Sequence, residues 1–167
     1  MGTACSRPLP ADAIDLFQDI INSGLSLRVK ATGGSMIPFL KSGEILTIRK
    51  ASPASLKKGD LLFFRSSNGH CLLHRIIMIK QTQKSFLIQT KGDGLIEPDE
   101  PVPDTRIVGK VHRIERNSSM HGDQIDLESL SWVIVNYLVA MKGLVILKAR
   151  LAVRRLLGRH ESARPQA

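Results

Sequence analysis

Aromatic side chains are scarce in this sequence, since phenylalanine, tryptophan and tyrosine together make up 4% of its 167 residues. Proteins that bind single-stranded nucleic acid without sequence preference stack the bases on aromatic side chains. The scarcity therefore argues against such a surface, although a net charge of +9 would suit a nucleic acid. We do not expect nucleic acid as a partner.

Cysteine is equally rare. Cys5 and Cys71 lie in unlike surroundings, the first near the N-terminus and the second in an apolar run. Two cysteines so placed predict neither a disulfide framework nor a zinc site, and the sequence suggests no cofactor. A chain of this length can bury a core as a single domain without such staples.

The N-terminal region has no basic segment followed by a long apolar run. Apolar residues at helical spacing occur between positions 11 and 23, but three acidic residues interrupt them: Asp12, Asp15 and Asp19. This pattern predicts a short amphipathic helix ended by Gly24 within an N-terminal segment of residues 1–24. It is unlike a signal peptide or a membrane span, so we expect a cytoplasmic or peripheral membrane protein.

The middle of the chain consists of short apolar runs separated by turn signals. A first strand is predicted from Leu25 to Lys30, where apolar and polar residues alternate. Five further strands are predicted at 44–49, 60–65, 71–79, 85–89 and 106–114. Because no helical segment separates these runs, we predict a mainly β protein with a compact antiparallel β domain over residues 25–116.

The remaining segment, residues 117–167, has a different composition. Leucine, valine and isoleucine dominate positions 127–157 without alternation, which predicts a long C-terminal helix with a break near Gly143. From Lys142 onward the chain carries seven basic residues and one acid, so this helix and tail are strongly basic. The helix could pack on the β domain or a partner subunit, lie on an anionic membrane surface, or span a bilayer.

Five sequence blocks in the β domain carry candidate chemistry. In chain order they are GSMIP at 34–38, KGDLLFF at 58–64, LHRII at 73–77, TKGDG at 90–94 and VGKV at 108–111. Their order resembles that of the motifs of type I signal peptidases, a family that shares its fold with the SOS-response repressor peptidases. The resemblance covers about residues 27–113 and implies a signal-peptidase-like β fold. It also implies a serine endopeptidase that cleaves a signal or leader peptide from a precursor polypeptide.

The resemblance implies Ser35 as the nucleophile and His74 as the general base. A serine hydroxyl is a weak nucleophile until a base within hydrogen-bond reach takes its proton. Histidine before arginine resembles the endoplasmic-reticulum and archaeal kind of signal peptidase, whereas the bacterial kind has lysine there. An imidazole, with an ordinary pKa of about 6.5, is a suitable base at neutral pH.

Two aspartates match those of the histidine kind. The resemblance implies Asp93 as a member of the active site and Asp99 as the residue that orients the histidine or supports that orientation. A carboxylate in this role stabilises the charged imidazolium. The sequence leaves the division of roles between Asp93 and Asp99 open.

Two features depart from the family. Gly33 occupies a position at which many signal peptidases have a serine that helps to stabilise the oxyanion, and the usual N-terminal membrane span is not seen. Two alternatives therefore stay open. The protein could be a regulatory peptidase that cleaves itself or a partner, or a catalytically inactive module of the same fold that binds lipid or a partner.

Overall fold

The computed structural model describes residues 11–83, 85–116 and 123–161, with only the backbone described at 11–13 and from 154 onward. The ends of the predicted N-terminal segment and tail, together with Cys5, lie outside these residues. The described elements are α1 (Ala11–Asn22), β1 (Leu27–Lys30), β2 (Ile45–Arg49), β3 (Leu61–Arg65), β4 (Cys71–Gln81), β5 (Phe86–Lys91), β6 (Val102–Pro103), β7 (Ile107–Arg116), β8 (Asp123–Asp126) and α2 (Leu130–Glu161).

The strands form one curled antiparallel sheet in the order β1-β2-β7-β3-β4-β5-β6. Strand β7 pairs with β2 along one edge, and with β3 and then β8 along the other. The expectation of a mainly β protein with a short N-terminal and a long C-terminal helix is confirmed. The sheet also extends past residue 116, because β8 belongs to it.

Strands β6 and β8 are missing from the sequence prediction for a simple reason. The first has two residues and includes Pro103, while the second has four residues with Ile125 as its one apolar member. Neither is long enough for apolar alternation to be recognised. Each is recognisable as a strand only from its pairing, β6 with β5 and β8 with β7.

Apolar side chains cover both faces of the central sheet. On β3, Leu61 and Phe63 pack into one core cluster, and Leu62 and Phe64 pack into another on the opposite face. Helix α1 contributes Ile21 to the first cluster. Full burial of a leucine or phenylalanine stabilises the fold by about 1.5–3 kcal/mol, so these clusters hold β3 firmly at the centre.

Helix α2 runs unbroken from Leu130 to Glu161, so the predicted break at Gly143 is wrong. The helix lies over the sheet at this point, where a Cβ on Gly143 would be 4.0 Å from Ile77 Cγ2. A glycine inside a helix costs about 1 kcal/mol, which packing against the sheet can offset. Trp132, Asn136 and Ala140, spaced by one turn, form the stripe of α2 that packs on the β domain.

The outward face of α2 is apolar and exposed. By length and composition alone, the 24 residues Leu130–Val153 could cross a membrane, with a mean hydropathy of 1.9. Only 11% of the most apolar 18 residues of this stretch is buried, whereas the core helix of a soluble protein is mostly buried. The exposed apolar residues are Leu130, Val133, Ile134, Val135, Tyr137, Leu138, Val145, Ile146, Leu151 and Val153.

Candidate active site

His74 is held by a carboxylate inside the protein. The residue lies on β4, is 4% exposed, and places its Nδ1 atom 2.7 Å from Oδ2 of Asp99. An ionised carboxylate can only accept a hydrogen bond, so the proton of the neutral ring lies on Nδ1. The other ring nitrogen, Nε2, is then left as the proton acceptor, which is the arrangement a general base needs.

Asp99 is itself fixed against β5. Its backbone N–H donates to the Thr90 carbonyl at 2.9 Å, and the Thr90 hydroxyl donates to Oδ2 of Asp99 at 2.7 Å. The side-chain amide of Gln89 donates to the Asp99 carbonyl oxygen. These bonds hold the carboxylate in place, so it can orient the His74 ring without moving.

The second predicted aspartate binds a different partner. Asp93 makes a two-pronged ion pair with Arg75, with Nε to Oδ1 at 2.8 Å and Nη2 to Oδ2 at 2.7 Å. Arg75 is fully buried, and its Nη1 atom donates to the Gly59 carbonyl at 2.9 Å and to Asn136 Oδ1 at 2.7 Å. The guanidinium carbon lies 4.3 Å from the centroid of the Phe39 ring. The buried guanidinium charge is tolerated because each of its three nitrogen atoms donates a hydrogen bond.

The His74–Asp99 hydrogen bond and the Arg75–Asp93 ion pair lie on opposite faces of the sheet. His74 and Arg75 are consecutive on β4, and consecutive side chains of a strand point to opposite faces. The ring of His74 lies beside Phe64, whose cluster covers one face, while Arg75 lies over Phe39, which packs against the other cluster. The sequence predicts His74, Asp93 and Asp99 for one site, whereas the structure places Asp99 with His74 on one face of the sheet and Asp93 with Arg75 on the other.

Ser35 lies in the turn between β1 and β2, against the turn that contains Asp93. The Ser35 carbonyl accepts a hydrogen bond from the Gly94 N–H at 2.9 Å. A Cβ on Gly92 would come within 2.6 Å of the same carbonyl oxygen, and one on Gly94 within 2.8 Å of the Ile37 oxygen. The two glycines flanking Asp93 are therefore what allows the Ser35 turn to approach so closely.

The Ser35 hydroxyl and the His74 ring are not joined by a hydrogen bond within the described part of the chain. In enzymes without bound substrate, the bond between nucleophile and base is often long and tightens when substrate binds. The structure links the four predicted residues in two separate pairs. His74 binds Asp99, and Ser35 contacts the Asp93 turn that Arg75 holds.

Gly33 has a backbone reason for being glycine. Its φ angle is +84°, in the left-handed region that other residues adopt only with strain. The serine that many signal peptidases have at this position would be disfavoured here. In this part of the turn, the backbone N–H of Ser35 is then the group that could donate a hydrogen bond to an oxyanion.

Three buried residues near the site were not identified from the sequence, namely Arg75, Lys91 and Asn136. Lys91 is 7% exposed, and its Nζ atom donates to the Gly92 carbonyl at 3.1 Å. Burial lowers the pKa of Lys91, while the charge of Asp93 acts to raise it. The adjacency of Arg75 to His74 was a usable signal. Asn136 is one of the few polar residues in the apolar part of α2, but the sequence does not say which residue it contacts.

Neither Cys71 nor a metal centre offers an alternative to the serine and histidine as the site of chemistry in the described residues. Burial raises the pKa of the Cys71 thiol to about 11, so the reactive thiolate is scarce at neutral pH. No cluster of histidine, cysteine, aspartate and glutamate suited to a metal ion occurs in residues 11–83, 85–116 and 123–161.

Two cavities flank α2. The smaller one, of about 250 Å³, lies beside the Ser35 turn and includes Asp93 and Lys91 in its wall. The larger groove, of about 670 Å³, lies on the other side of α2 near Leu56 and Ile79, and none of the four predicted catalytic residues lines it. Of the two, the smaller cavity is the one that has a predicted site residue, Asp93, in its wall.

No protein-family model matches the chain, and no curated protein is significantly similar to it. The support for a function therefore comes from the five sequence blocks and from the geometry around His74 and Ser35.

Proposed function

We propose that this protein is a serine endopeptidase of the signal-peptidase type, with Ser35 as nucleophile and His74 as general base. The observation that carries the proposal is the 2.7 Å bond between His74 Nδ1 and Asp99 in a largely buried setting. A histidine held in one tautomer by a carboxylate is the arrangement by which serine hydrolases orient the base that activates the hydroxyl.

In the proposed reaction, His74 Nε2 takes the hydroxyl proton as Ser35 Oγ attacks the scissile carbonyl. Asp99 stabilises the imidazolium that forms, and the Ser35 N–H donates to the developing oxyanion. The imidazolium then protonates the leaving amine, and a water molecule hydrolyses the acyl-enzyme by the same route in reverse. Arg75 and Asp93 hold the turn against which Ser35 rests.

The substrate class that we propose is a precursor polypeptide carrying a signal or leader peptide, processed at an anionic membrane surface. The packing of α2 supports a helix that lies flat on the membrane surface rather than one that spans the bilayer. Positions 130–143 lie along the β domain, and they extend over about 20 Å of helix. An upright α2 would carry the β domain into a hydrocarbon layer about 30 Å thick. A helix lying flat instead turns its exposed Leu138 and Val145 to the lipid.

The first test measures whether Ser35 is reactive. A fluorophosphonate probe should label the full chain at Ser35, and Ser35→Ala and His74→Ala should each remove labelling. Ser42→Ala and His70→Ala change exposed residues outside the site and serve as matched controls. Equal labelling of the wild-type chain and Ser35→Ala would contradict the peptidase proposal.

The membrane surface is tested by co-sedimentation with phosphatidylcholine vesicles that contain phosphatidylglycerol. Leu138→Asp should weaken binding, because Leu138 is 60% exposed on the outward face of α2. Leu16→Asp changes a leucine on α1 that is 57% exposed, and should bind as the wild type does. Binding should also weaken at high salt, since surface charges are screened. Equal loss in both variants, or no binding at low salt, would remove the membrane from the proposal.

A second candidate function is an inactive module of the same fold that binds lipid or a partner subunit. The lack of a hydrogen bond between Ser35 and His74 in the described structure favours it, as does the glycine at position 33. Vesicle binding without probe labelling would support this candidate. No described feature favours the regulatory, self-cleaving peptidase.

A further inference from the structure

We infer that the cavity of about 250 Å³ beside the Ser35 turn is a subsite for an acidic side chain of the substrate, bound by Lys91 and Lys142. The inference rests on the proposed peptidase function and deepens it, because it assigns a substrate preference to residues outside the catalytic set.

The cavity adjoins the turn that contains Ser35. Pro38 and Phe39, which follow Ser35 in its turn, form one wall, and Asp93 from the neighbouring turn adjoins them. Ile77 of β4 and Ile146 of α2 form apolar walls. The volume is below the roughly 300–1,000 Å³ of sites that hold whole small molecules, so it suits one side chain.

Lys91 is a buried cation with spare hydrogen-bonding capacity. Its ammonium group has three donors, and the Gly92 carbonyl, at 3.1 Å, is its one hydrogen-bond partner in the described part of the chain. A lysine that is 7% exposed is normally paired with an acid. A carboxylate entering the cavity would supply the direct acidic partner that Lys91 lacks among the described residues.

The charges around the cavity favour an anion. Asp93 is the one acid among the lining residues, and both of its carboxylate oxygens accept hydrogen bonds from Arg75. The charges of Asp93 and Asp99 also act on Lys91, but neither forms an ion pair with it in the described part of the chain. Lys142 lies at the α2 wall, is exposed, and makes no ion pair within the described residues. Arg150, two turns further along the same side of α2, adds positive charge and also acts to lower the pKa of Lys91. The cavity is thus cationic, with apolar walls that suit the methylene groups of a glutamate side chain.

The test uses the full chain carrying Ser35→Ala, which binds peptides without cleaving them. Fluorescent octapeptides of alanine, serine, leucine and glycine are compared in pairs that have glutamate or glutamine at one position. Fluorescence anisotropy should find a position at which the glutamate peptide binds about tenfold tighter, the effect of one charge-assisted hydrogen bond. Equal binding of the paired peptides at every position would overturn the inference.

Two further variants test the assigned lysines. Lys91→Met should abolish the preference for glutamate over glutamine, and Lys142→Gln, at the exposed rim, should reduce it by about threefold. The ratio of the affinities for the glutamate and glutamine peptides is informative, because a distorted site would weaken the binding of both peptides alike. Lys30→Met removes an exposed lysine of β1 and should leave the ratio unchanged. A ratio unaffected by both Lys91→Met and Lys142→Gln would overturn the assignment.

The outcomes separate this inference from the proposed function. Labelling of Ser35 by the fluorophosphonate probe with no glutamate preference would keep the peptidase and remove the subsite. A preference that depends on Lys91 in a chain that the probe does not label would keep the acidic-group site and remove the peptidase. Competition by phosphatidylglycerol vesicles, but not by phosphatidylcholine vesicles, would assign the cavity to a lipid headgroup and overturn the inference.

Discussion

His74 and Arg75 are neighbours on one strand, and each binds an aspartate from the segment after β5, yet their surroundings differ. The Arg75 guanidinium is permanently charged, fully buried, and bonded to Asp93, Gly59 and Asn136. The His74 ring has one nitrogen on Asp99 and one left to exchange a proton. The comparison teaches that a saturated ion pair stabilises structure, whereas a partly satisfied, titratable pair is available for chemistry.

The largest expected effect is on the chemical step. Ser35→Ala and His74→Ala should each lower the rate of peptide cleavage by about 10⁴-fold or more, and the double variant should be no slower than either single one. Members of one proton-transfer unit are not additive, because loss of either member stops the transfer. Single-turnover cleavage measured on all three variants checks this. Near-normal cleavage by His74→Ala would show that another group is the base.

A smaller loss of activity is expected on the Asp99 side. Asp99→Asn keeps the shape of the side chain but permits the wrong tautomer of His74, so cleavage should slow by about 10³-fold. The thermal midpoint of unfolding should change far less than in Asp93→Asn. If Asp99→Asn cleaved at the wild-type rate, Asp99 would not orient the base.

On the Arg75 side the expected effect is on stability. Asp93→Asn leaves a buried guanidinium without its counter-ion, and we expect a loss of about 3–5 kcal/mol in the free energy of unfolding. Urea denaturation followed by circular dichroism measures it. Glu100→Gln changes an exposed acid of the same segment and should cost little. Equal midpoints for Asp93→Asn and Glu100→Gln would refute the structural role of the pair.

The smallest of these effects is expected at the contact between α2 and the β domain. Asn136→Ala removes the 2.7 Å bond to Arg75 and should lower the free energy of unfolding by about 1.5–3 kcal/mol. Leu138→Ala, at an exposed position on the same helix, is the control and should change it by less than about 0.5 kcal/mol. A stability loss no larger than that of Leu138→Ala would mean that the helix is held by its apolar contacts alone.

Local patterns in the sequence were enough to predict the longer strands, both helices and the mainly β class. Alternation and helical spacing are local properties, so they can be recognised without knowing what each element packs against. The resemblance of the five blocks also selected Ser35, His74, Asp93 and Asp99 as site residues, and their catalytic roles stay predictions.

Tertiary structure alone decided which partner each residue has. The sequence left open whether Asp93 or Asp99 orients His74, because spacing does not tell which face of β4 each carboxylate reaches. The fold pairs Asp99 with His74 and Asp93 with Arg75. The continuation of α2 through Gly143 reflects packing on Ile77, which helix propensity cannot foresee. Asn136 and Lys91 likewise acquire their roles from contacts between elements distant in the chain, and such contacts leave no periodic signal in the sequence.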